Sequence, residues 1–261
     1  MLNTLLKMEF KRSYKSFLIW TSIMVASLII FTLIYPLYKD IFDNFPPEMM
    51  AILEGFGGIP ENILEYFAIE SASMYLFIGP IYASMIGFNL VSVFEREKSA
   101  EILYTTNVPK KHFYISKVIV LFVLITAFSL LNYLGSLITM IIYDPNVDIG
   151  ILSLYFLMMN ISFLVISIIS FTTALLLKPG SNPLISMTLP IIFILIQFIS
   201  KLTNNDFLTN LQYLTPLAFS DATAIIQTRA DIQWLNLGIY GVLALVLLCY
   251  NYFKYQKRVS I

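Results

Sequence analysis

Six long stretches of this sequence contain no Asp, Glu, Lys, Arg or His, and they constrain the fold more than any other feature. They are residues 17–38, 71–94, 118–143, 149–177, 179–200 and 232–253. Each has about 20 residues or more, the length that a helix needs to cross a hydrocarbon core of roughly 30 Å. Because unpaired backbone groups are costly in hydrocarbon, each stretch is expected to be a helix rather than an open strand. The predicted fold class is an all-α integral membrane protein with six transmembrane helices.

Composition agrees with a protein whose solvent is lipid. Of the 261 residues 58% are hydrophobic and only 12% are charged, and the mean hydropathy is +0.80, which is too apolar for the surface of a soluble domain. We find no internal repeat and no sign of a soluble domain. Residues 1–261 are therefore predicted to form a single transmembrane domain.

The basic residues are divided unevenly between alternate connections. Of the 16 Lys and Arg residues, 13 fall in one set of connections and three in the other. The larger set lies in 1–16, 95–117, Lys178 and 254–258, and the smaller set is Lys39, Lys201 and Arg229. Since cytoplasmic connections carry the excess of Lys and Arg, both termini are predicted to be cytoplasmic. The net charge of zero gives no reason to expect a nucleic-acid partner.

Residues 1–16 have the pattern of an amphipathic helix. Leu2, Leu6, Phe10 and Tyr14 share one helical stripe, and Lys7, Lys11 and Lys15 form the adjacent stripe. This pattern predicts an interfacial helix that lies against the inner leaflet. The alternative is a basic flank that only sets the topology.

Residues 201–231 are predicted to be an external re-entrant segment. The charge count places this connection outside, yet its apolar residues make it a poor candidate for a solvated loop; they include Phe207, Leu211, Leu214, Leu217 and Phe219. Irregular backbone can enter the membrane where neighbouring helices satisfy it. We therefore expect this segment to pack against the helices before the last span.

Several kinds of chemistry are missing from the chain. The single histidine, His112, cannot supply a His-Glu-x-x-His metal site, and no P-loop sequence is present. The spans themselves contain no ionisable side chain, which disfavours a secondary transporter coupled to protons or sodium, although unwound backbone carbonyls could still bind an ion. The chain is predicted to be no enzyme and to hold no cofactor or metal. If ATP drives transport, a separate subunit must hydrolyse it.

The connection 95–117, predicted to be cytoplasmic, is the most informative segment. Glu97 and Glu101 are four residues apart and share a helical face, with Ile102 and Leu103 beside them. A short, charged, amphipathic element at the membrane surface suits docking into a groove on another protein. The alternative is a solvated loop that only sets topology.

This connection resembles the first cytoplasmic loop of permease subunits of type 2 ABC exporters, which typically reads Glu-x-x-x-Gly-Thr-x-Glu-x-Leu-x-x-x-Pro-Val-Ser-Arg and ends in Ser-Lys. On that pattern the matching residues are Ser99, Glu101, Leu103, Val108, Lys110, Phe113, Tyr114, Ser116 and Lys117. Lys98 and Asn107 depart from it, where the family has Gly and Pro.

Two further segments are similar to the same family. Residues 7–20 are similar to its amphipathic N-terminal helix, which runs into a first span bearing a Trp, here Trp20. Residues 213–221, Tyr-Leu-Thr-Pro-Leu-Ala-Phe-Ser-Asp, are similar to the stretch before its last span. Together with the six-span topology, the resemblance covers nearly the whole chain.

The resemblance implies one transmembrane subunit of an ATP-driven exporter in a bacterial cytoplasmic membrane. A second permease subunit, identical or homologous, would pair with it, and a cytoplasmic ABC ATPase subunit that binds ATP and Mg²⁺ would dock on 95–117. The implied coupling residues are Glu97, Glu101, Ile102 and Leu103, with Phe10 and Tyr14 of the first helix completing the groove.

The residues suggest only a weak substrate pathway on the second and fifth spans, at Met74, Asn89, Ser186 and Gln197. The alternative is ordinary helix packing, in which small and amide side chains bridge neighbours. A pathway without charges suits amphipathic or hydrophobic cargo, such as a peptide, an antibiotic or a lipid-like molecule. Two other functions stay open: an ion-coupled secondary transporter, and a membrane sensor or assembly factor that transports nothing.

Overall fold

The computed structural model describes residues 2–42, 60–97, 108–201, 206–227 and 232–258. Within these ranges the chain is helical and has no strand, so the all-α prediction is confirmed there. Among the residues that the structure describes, six helical stretches are long and apolar enough to cross a bilayer. The molecule has the features of a multi-pass membrane protein.

The helices are numbered here in chain order. They are α1 (Leu2–Leu33), α2 (Tyr35–Phe42), α3 (Ile63–Tyr66), α4 (Ala72–Arg96), α5 (Lys110–Tyr143), α6 (Ile149–Leu176), α7 (Thr188–Lys201), α8 (Asp206–Asn210), α9 (Ala222–Ile226) and α10 (Trp234–Lys257). A π-helical turn, Phe67–Ser71, joins α3 to α4, and a 3-10 turn, Pro183–Met187, leads into α7. The candidate spans are α1 with the start of α2, α3 with α4, α5, α6, the 3-10 turn with α7, and α10.

Local sequence explains where several of these helices begin. Pro36 lies in the first turn of α2, where its missing N–H costs no helical hydrogen bond. Asn62 accepts hydrogen bonds from the backbone N–H groups of the first turn of α3, and the Asp148 carboxylate accepts one from the N–H of Ile151 at the start of α6. These are the N-cap interactions that Asn and Asp favour.

Helices α1 and α5 pack side by side and run in the same direction. Glu9 of α1 contacts Lys117 of α5, Val25 lies beside Gly135, and the Tyr143 hydroxyl donates to the Leu33 carbonyl. The offset between the partners stays at 108 to 110 residues in these three contacts. The two helices therefore stay in register over most of their length.

Helices α4 and α6 form a second parallel pair, because Phe67, just before α4, packs on Tyr155 near the start of α6, and Arg258 bridges Glu95 and the Leu175 carbonyl near the ends of both helices. Their backbones approach each other more closely than those of α1 and α5. A Cβ added at Gly87 would lie 2.1 Å from the carbonyl oxygen of Ser167. One turn nearer the start of α4, the Ser84 hydroxyl bonds to the Ser170 hydroxyl at 2.6 Å. Gly87 is therefore needed because the two backbones nearly touch.

The contacts define two ends of the helix bundle. Glu9, Lys110, Lys117 and the Arg258 backbone lie together at one end, here called the basic face. Asp148, Lys201 and the segment 206–227 lie toward the other end, here called the acidic face. Both ends of the described chain are thus on the basic face.

The N-terminal segment differs from the prediction of a separate interfacial helix. Helix α1 is continuous from Leu2 to Leu33, with no break near residue 16. Its buried positions in this part are Leu5 and Glu9 rather than the expected stripe, of which Phe10 is half-buried and Tyr14 is 43% exposed. Packing against α5 holds this segment as a direct extension of the first span.

Residues 206–227 pack against the other helices, as the apolar composition indicated. Leu217, Ala218, Phe219 and Ser220 are buried. The hydroxyl of Ser162, in the middle of α6, donates to the carbonyl of Pro216 at 2.6 Å. The segment therefore reaches halfway along a helix long enough to span a bilayer.

Candidate functional site

A buried ion pair links α1 to α5 at the basic face. Lys117 Nζ lies 2.7 Å from Glu9 Oε1, and both side chains are 1% exposed. Lys117 also donates to the carbonyl of Leu90 at 2.5 Å, which ties α4 to the same pair. A charge can be buried in this way only when it is paired and hydrogen-bonded.

This pair lies outside the charge-free stretches 17–38 and 118–143, in parts of α1 and α5 that extend beyond them. The charge-free stretches are shorter than the helices, so Glu9, Glu95 and Lys117 belong to α1, α4 and α5. Lys117 is seven residues from the start of α5, about 10 Å along its axis. The buried charges therefore lie near the helix ends and not at mid-span.

A second ion pair fastens the C-terminal end of the described chain to α4 and α6. Arg258 binds Glu95 with two parallel hydrogen bonds, of 2.5 and 2.9 Å, and donates to the carbonyl of Leu175 at 2.6 Å. Both side chains are under 10% exposed. Two-point binding of a carboxylate by Arg is a strong and directional contact.

Arg12 and Phe94 join the two ion pairs into one cluster. Arg12 pairs with Glu97 at the end of α4. The Arg12 guanidinium and the Lys117 ammonium lie 4.0 and 4.3 Å from the centre of the Phe94 ring, a cation–π arrangement. We call Glu9, Arg12, Glu95, Glu97, Lys117 and Arg258 the basic-face charge cluster.

The cluster surrounds both ends of the connection that resembles a coupling loop. Its N-terminal end is held through Glu95 and Glu97. At its C-terminal end, Lys110 donates to the carbonyls of Gln256 and Arg258 at 3.4 and 2.8 Å. The connection therefore starts and ends on a surface built from α1, α4, α5 and the end of α10.

Only some of the predicted coupling residues lie in the part of the chain that the structure describes. Glu97 is half-exposed at the end of α4 and belongs to the cluster. Phe10 packs partly against the core and Tyr14 is exposed. Glu101, Ile102 and Leu103 lie outside the described residues.

The four residues suggested for a substrate pathway do not come together. Met74 is 37% exposed on the outside of α4, and Asn89 accepts a hydrogen bond from Arg96 at the basic face. Ser186 is buried, and its carbonyl accepts a hydrogen bond from Ser84. Gln197 donates to Asp221 at 3.3 Å. Ser186 and Gln197 thus have the helix-packing contacts that were the alternative reading.

At the acidic face, Asp221 holds α7 and α9 together. Its carboxylate lies 2.7 Å from Lys201 Nζ and accepts hydrogen bonds from the backbone N–H and the hydroxyl of Thr223. Burial alone would raise the pKa of Asp221, but the Lys201 ammonium and the Thr223 hydrogen bonds outweigh it and lower the pKa below the usual 3.8. Asp221 is therefore held in place by these contacts and is ionised at neutral pH.

A cavity of about 390 Å³ lies beside this ion pair, between α4, α6, α7 and α9. Its wall includes Leu76, Tyr155, Met159 and Phe198 as well as Lys201 and Asp221. We call it the acidic-face cavity. None of the four suggested pathway residues lines it.

Comparison with known proteins adds no identification. No family model matches the chain, and no curated protein matches it significantly. Within the described residues, no three His, Cys, Asp or Glu side chains are grouped so that they could hold a metal ion.

The sequence predicted neither the pairings within the basic-face charge cluster nor the existence of the acidic-face cavity. Glu9 is the only acidic residue among the bases of residues 2–15, and it follows Leu5 by four positions on one helical face. That was the available signal for a buried partner. The cavity gave no such signal, because its wall comes from segments far apart in sequence.

Proposed function

We propose that the chain is the transmembrane subunit of an ATP-driven ABC exporter that moves amphipathic or hydrophobic molecules out across the cytoplasmic membrane. A separate ATPase subunit, with its ATP and Mg²⁺, binds the connection 95–117. A second permease subunit, identical or homologous, completes the transporter. The chain itself carries out no covalent chemistry.

The observation that supports this proposal best is the attachment of both ends of the 95–117 connection. Glu95 and Glu97 at one end and Lys110 at the other are bonded to α1 and to the end of α10. A force applied to this connection by a partner would therefore act directly on the helices of the bundle. The proposed partner is an ABC ATPase because the connection resembles the exporter loop, with Glu101 at its glutamate position.

The exposed apolar faces agree with a subunit that contacts lipid and a second permease. In α10, Leu235, Leu245 and Phe253 are each more than 60% exposed. Such a surface is unsuited to water.

The buried Glu9–Lys117 pair also favours a second candidate, an ion-coupled secondary transporter, because ionisable pairs in membrane helices often carry protons. Binding sites of secondary transporters lie near the midplane of the bilayer. The pair instead lies about 10 Å from the start of α5. The exporter remains the better-supported function.

The decisive experiment first asks whether an ABC ATPase is encoded beside the chain or co-purifies with it, and then reconstitutes the two together in proteoliposomes. We expect the chain to stimulate ATP hydrolysis and Glu101→Lys to reduce the stimulation at least tenfold at an unchanged amount of permease. Glu61→Lys, an exposed change at the opposite face, is the control and should have no effect. Full stimulation by Glu101→Lys would contradict the docking site, and transport driven by an ion gradient without ATP would contradict the exporter.

A further inference from the structure

The acidic-face cavity has the size and lining of a small-molecule site. Its volume of about 390 Å³ falls in the range of ligand pockets, roughly 300 to 1,000 Å³. Ile69, Leu76, Met159 and Phe198 provide apolar wall, and the polar residues of the wall include Lys201, Asp221 and Thr223. Ligand sites commonly combine an apolar wall with a few polar groups that fix orientation.

One polar group in the wall has an unmet hydrogen bond. Tyr155 is fully buried, and its hydroxyl has no hydrogen-bond partner in the described part of the protein. Its ring is held in place edge-on by Phe67 and Phe156, at 5.9 and 5.3 Å between centres. A buried hydroxyl without a partner costs free energy, which a ligand that supplies an acceptor would remove. The hydroxyl is covered in the ligand-free protein, so the cavity wall must open locally beside Tyr155 when such a ligand binds.

The charges beside the cavity indicate that the ligand is uncharged. Lys201 and Asp221 already neutralise each other, and Asp221 is further bonded by Thr223 and Gln197. An ionic ligand would lose its hydration on entering the cavity and would find Lys201 and Asp221 already paired with each other. An uncharged ligand does not have this desolvation cost of a charge.

We propose that the acidic-face cavity binds an uncharged amphiphile. Its apolar body packs against Leu76, Met159 and Phe198, and an amide or ester carbonyl accepts a hydrogen bond from the Tyr155 hydroxyl. Naming this molecule as export cargo rests on the proposed function, but binding itself does not. The site can therefore be tested on the full chain alone, without an ATPase.

The probe is N-acetyl-leucyl-leucinamide, an uncharged compound with amide carbonyls and two apolar side chains. Binding to the purified chain in nanodiscs is measured by titration calorimetry, against leucyl-leucinamide, which is a cation, and N-acetyl-leucyl-leucine, which is an anion. We expect one uncharged molecule bound per chain and at least tenfold weaker binding of both charged analogues.

Two variants test the position of the site. Tyr155→Phe should weaken binding about 3- to 10-fold, the effect of one hydrogen bond, and Leu76→Trp should abolish binding by filling the cavity. The control is Tyr133→Phe, because the Tyr133 hydroxyl bonds to Ser153 elsewhere on the bundle. It should leave the dissociation constant unchanged.

A stability measurement separates the site from a folding defect. The thermal midpoint of ligand-free Tyr155→Phe should equal or exceed that of the wild type, because the lost hydroxyl has no partner. A lower midpoint would reveal a partner for that hydroxyl and would overturn the proposal. It is also overturned if the probe does not bind, if it binds equally to Leu76→Trp, or if a charged analogue binds more tightly. None of these results bears on ATP-driven transport.

Discussion

The Glu9–Lys117 pair shows how the surroundings of a side chain decide its role. Both residues belong to sequence that is rich in charge and would be solvated in a free loop. In the folded chain both are 1% exposed, with Leu90 and Phe94 beside them. Neither charge can lose its partner without being left buried and uncompensated.

Glu9→Gln should therefore destabilise the protein strongly. We expect the free energy of unfolding to fall by about 3–5 kcal/mol, because Lys117 is left without its counter-charge. The double variant Glu9→Gln/Lys117→Met should recover most of the loss. Thermal denaturation in detergent measures both, with Glu61→Gln on the exposed surface as the control. A double variant no more stable than the single one would show that the charges do not act as a pair.

Asp221 predicts a sensitivity to acid. Its lowered pKa means that its stabilising contacts with Lys201 and Thr223 are fully present above pH 3.8 and are lost as the pH falls through the lower folded-state pKa. Asp221→Asn should be less stable than the wild type at pH 7, by about 1.5–3 kcal/mol for hydrogen bonds to a charged group. The difference should shrink as the pH falls below 3.8. A difference that is constant from about pH 7 to about pH 3 would exclude the carboxylate as its source.

At the scale of helices, the close contact of α4 with α6 depends on Gly87. Alanine is the better helix former by about 1 kcal/mol, but its Cβ at this position would lie 2.1 Å from a backbone oxygen that cannot rotate away. We expect Gly87→Ala to cost about 1–3 kcal/mol despite the gain in helix propensity.

The matched control for this change is Gly241→Ala in α10. A Cβ there meets nothing within 4 Å, so only the propensity gain remains. Thermal midpoints of the two variants should therefore move in opposite directions. A stabilised Gly87→Ala variant would contradict the described approach of α4 to α6.

The helices were largely predictable, whereas their partners were not. Long stretches without charge indicate spans because lipid penalises any charge, so the six helices follow from local composition. At the basic face the helices extend beyond the charge-free stretches. Glu9 and Lys117 are buried there because they pair with each other in the folded chain, and no local sequence pattern contains this pairing. The cavity likewise depends on 206–227 folding back onto α6, and the sequence indicated this packing only through its apolar residues.

For the molecule as a whole, the two parallel pairs, α1 with α5 and α4 with α6, define its framework. The basic-face charge cluster lies at one end of this framework and the acidic-face cavity at the other. Leu76 and Tyr155 of the cavity belong to the same α4–α6 pair that Arg258 joins at the basic face, where it donates to Glu95 and to the Leu175 carbonyl. A movement of α4 and α6 together would therefore displace residues of the basic-face charge cluster and of the acidic-face cavity at the same time.

A disulfide across α1 and α5 tests whether that pair moves as a unit. The Val25 Cβ lies 3.9 Å from a Cβ built at Gly135, within the 3.5–4.5 Å that a disulfide requires. In a Cys249→Ser background, Val25→Cys/Gly135→Cys should form the bond in oxidant, as measured by loss of maleimide labelling. The pair Val25→Cys/Leu134→Cys should not, because Leu134 is 41% exposed and points elsewhere.

The locked protein should still stimulate the ATPase subunit at close to the rate of the reduced protein, because the contacts between α1 and α5 keep a nearly constant offset along both helices, as expected of two helices that move together. Failure of the bond to form would contradict the parallel register itself, whatever the function. If the bond forms and stimulation is lost until a reductant is added, then α1 and α5 separate during transport. The Glu9–Lys117 pair would in that case be a contact that opens and closes, and the moving boundary would run between α1 and α5.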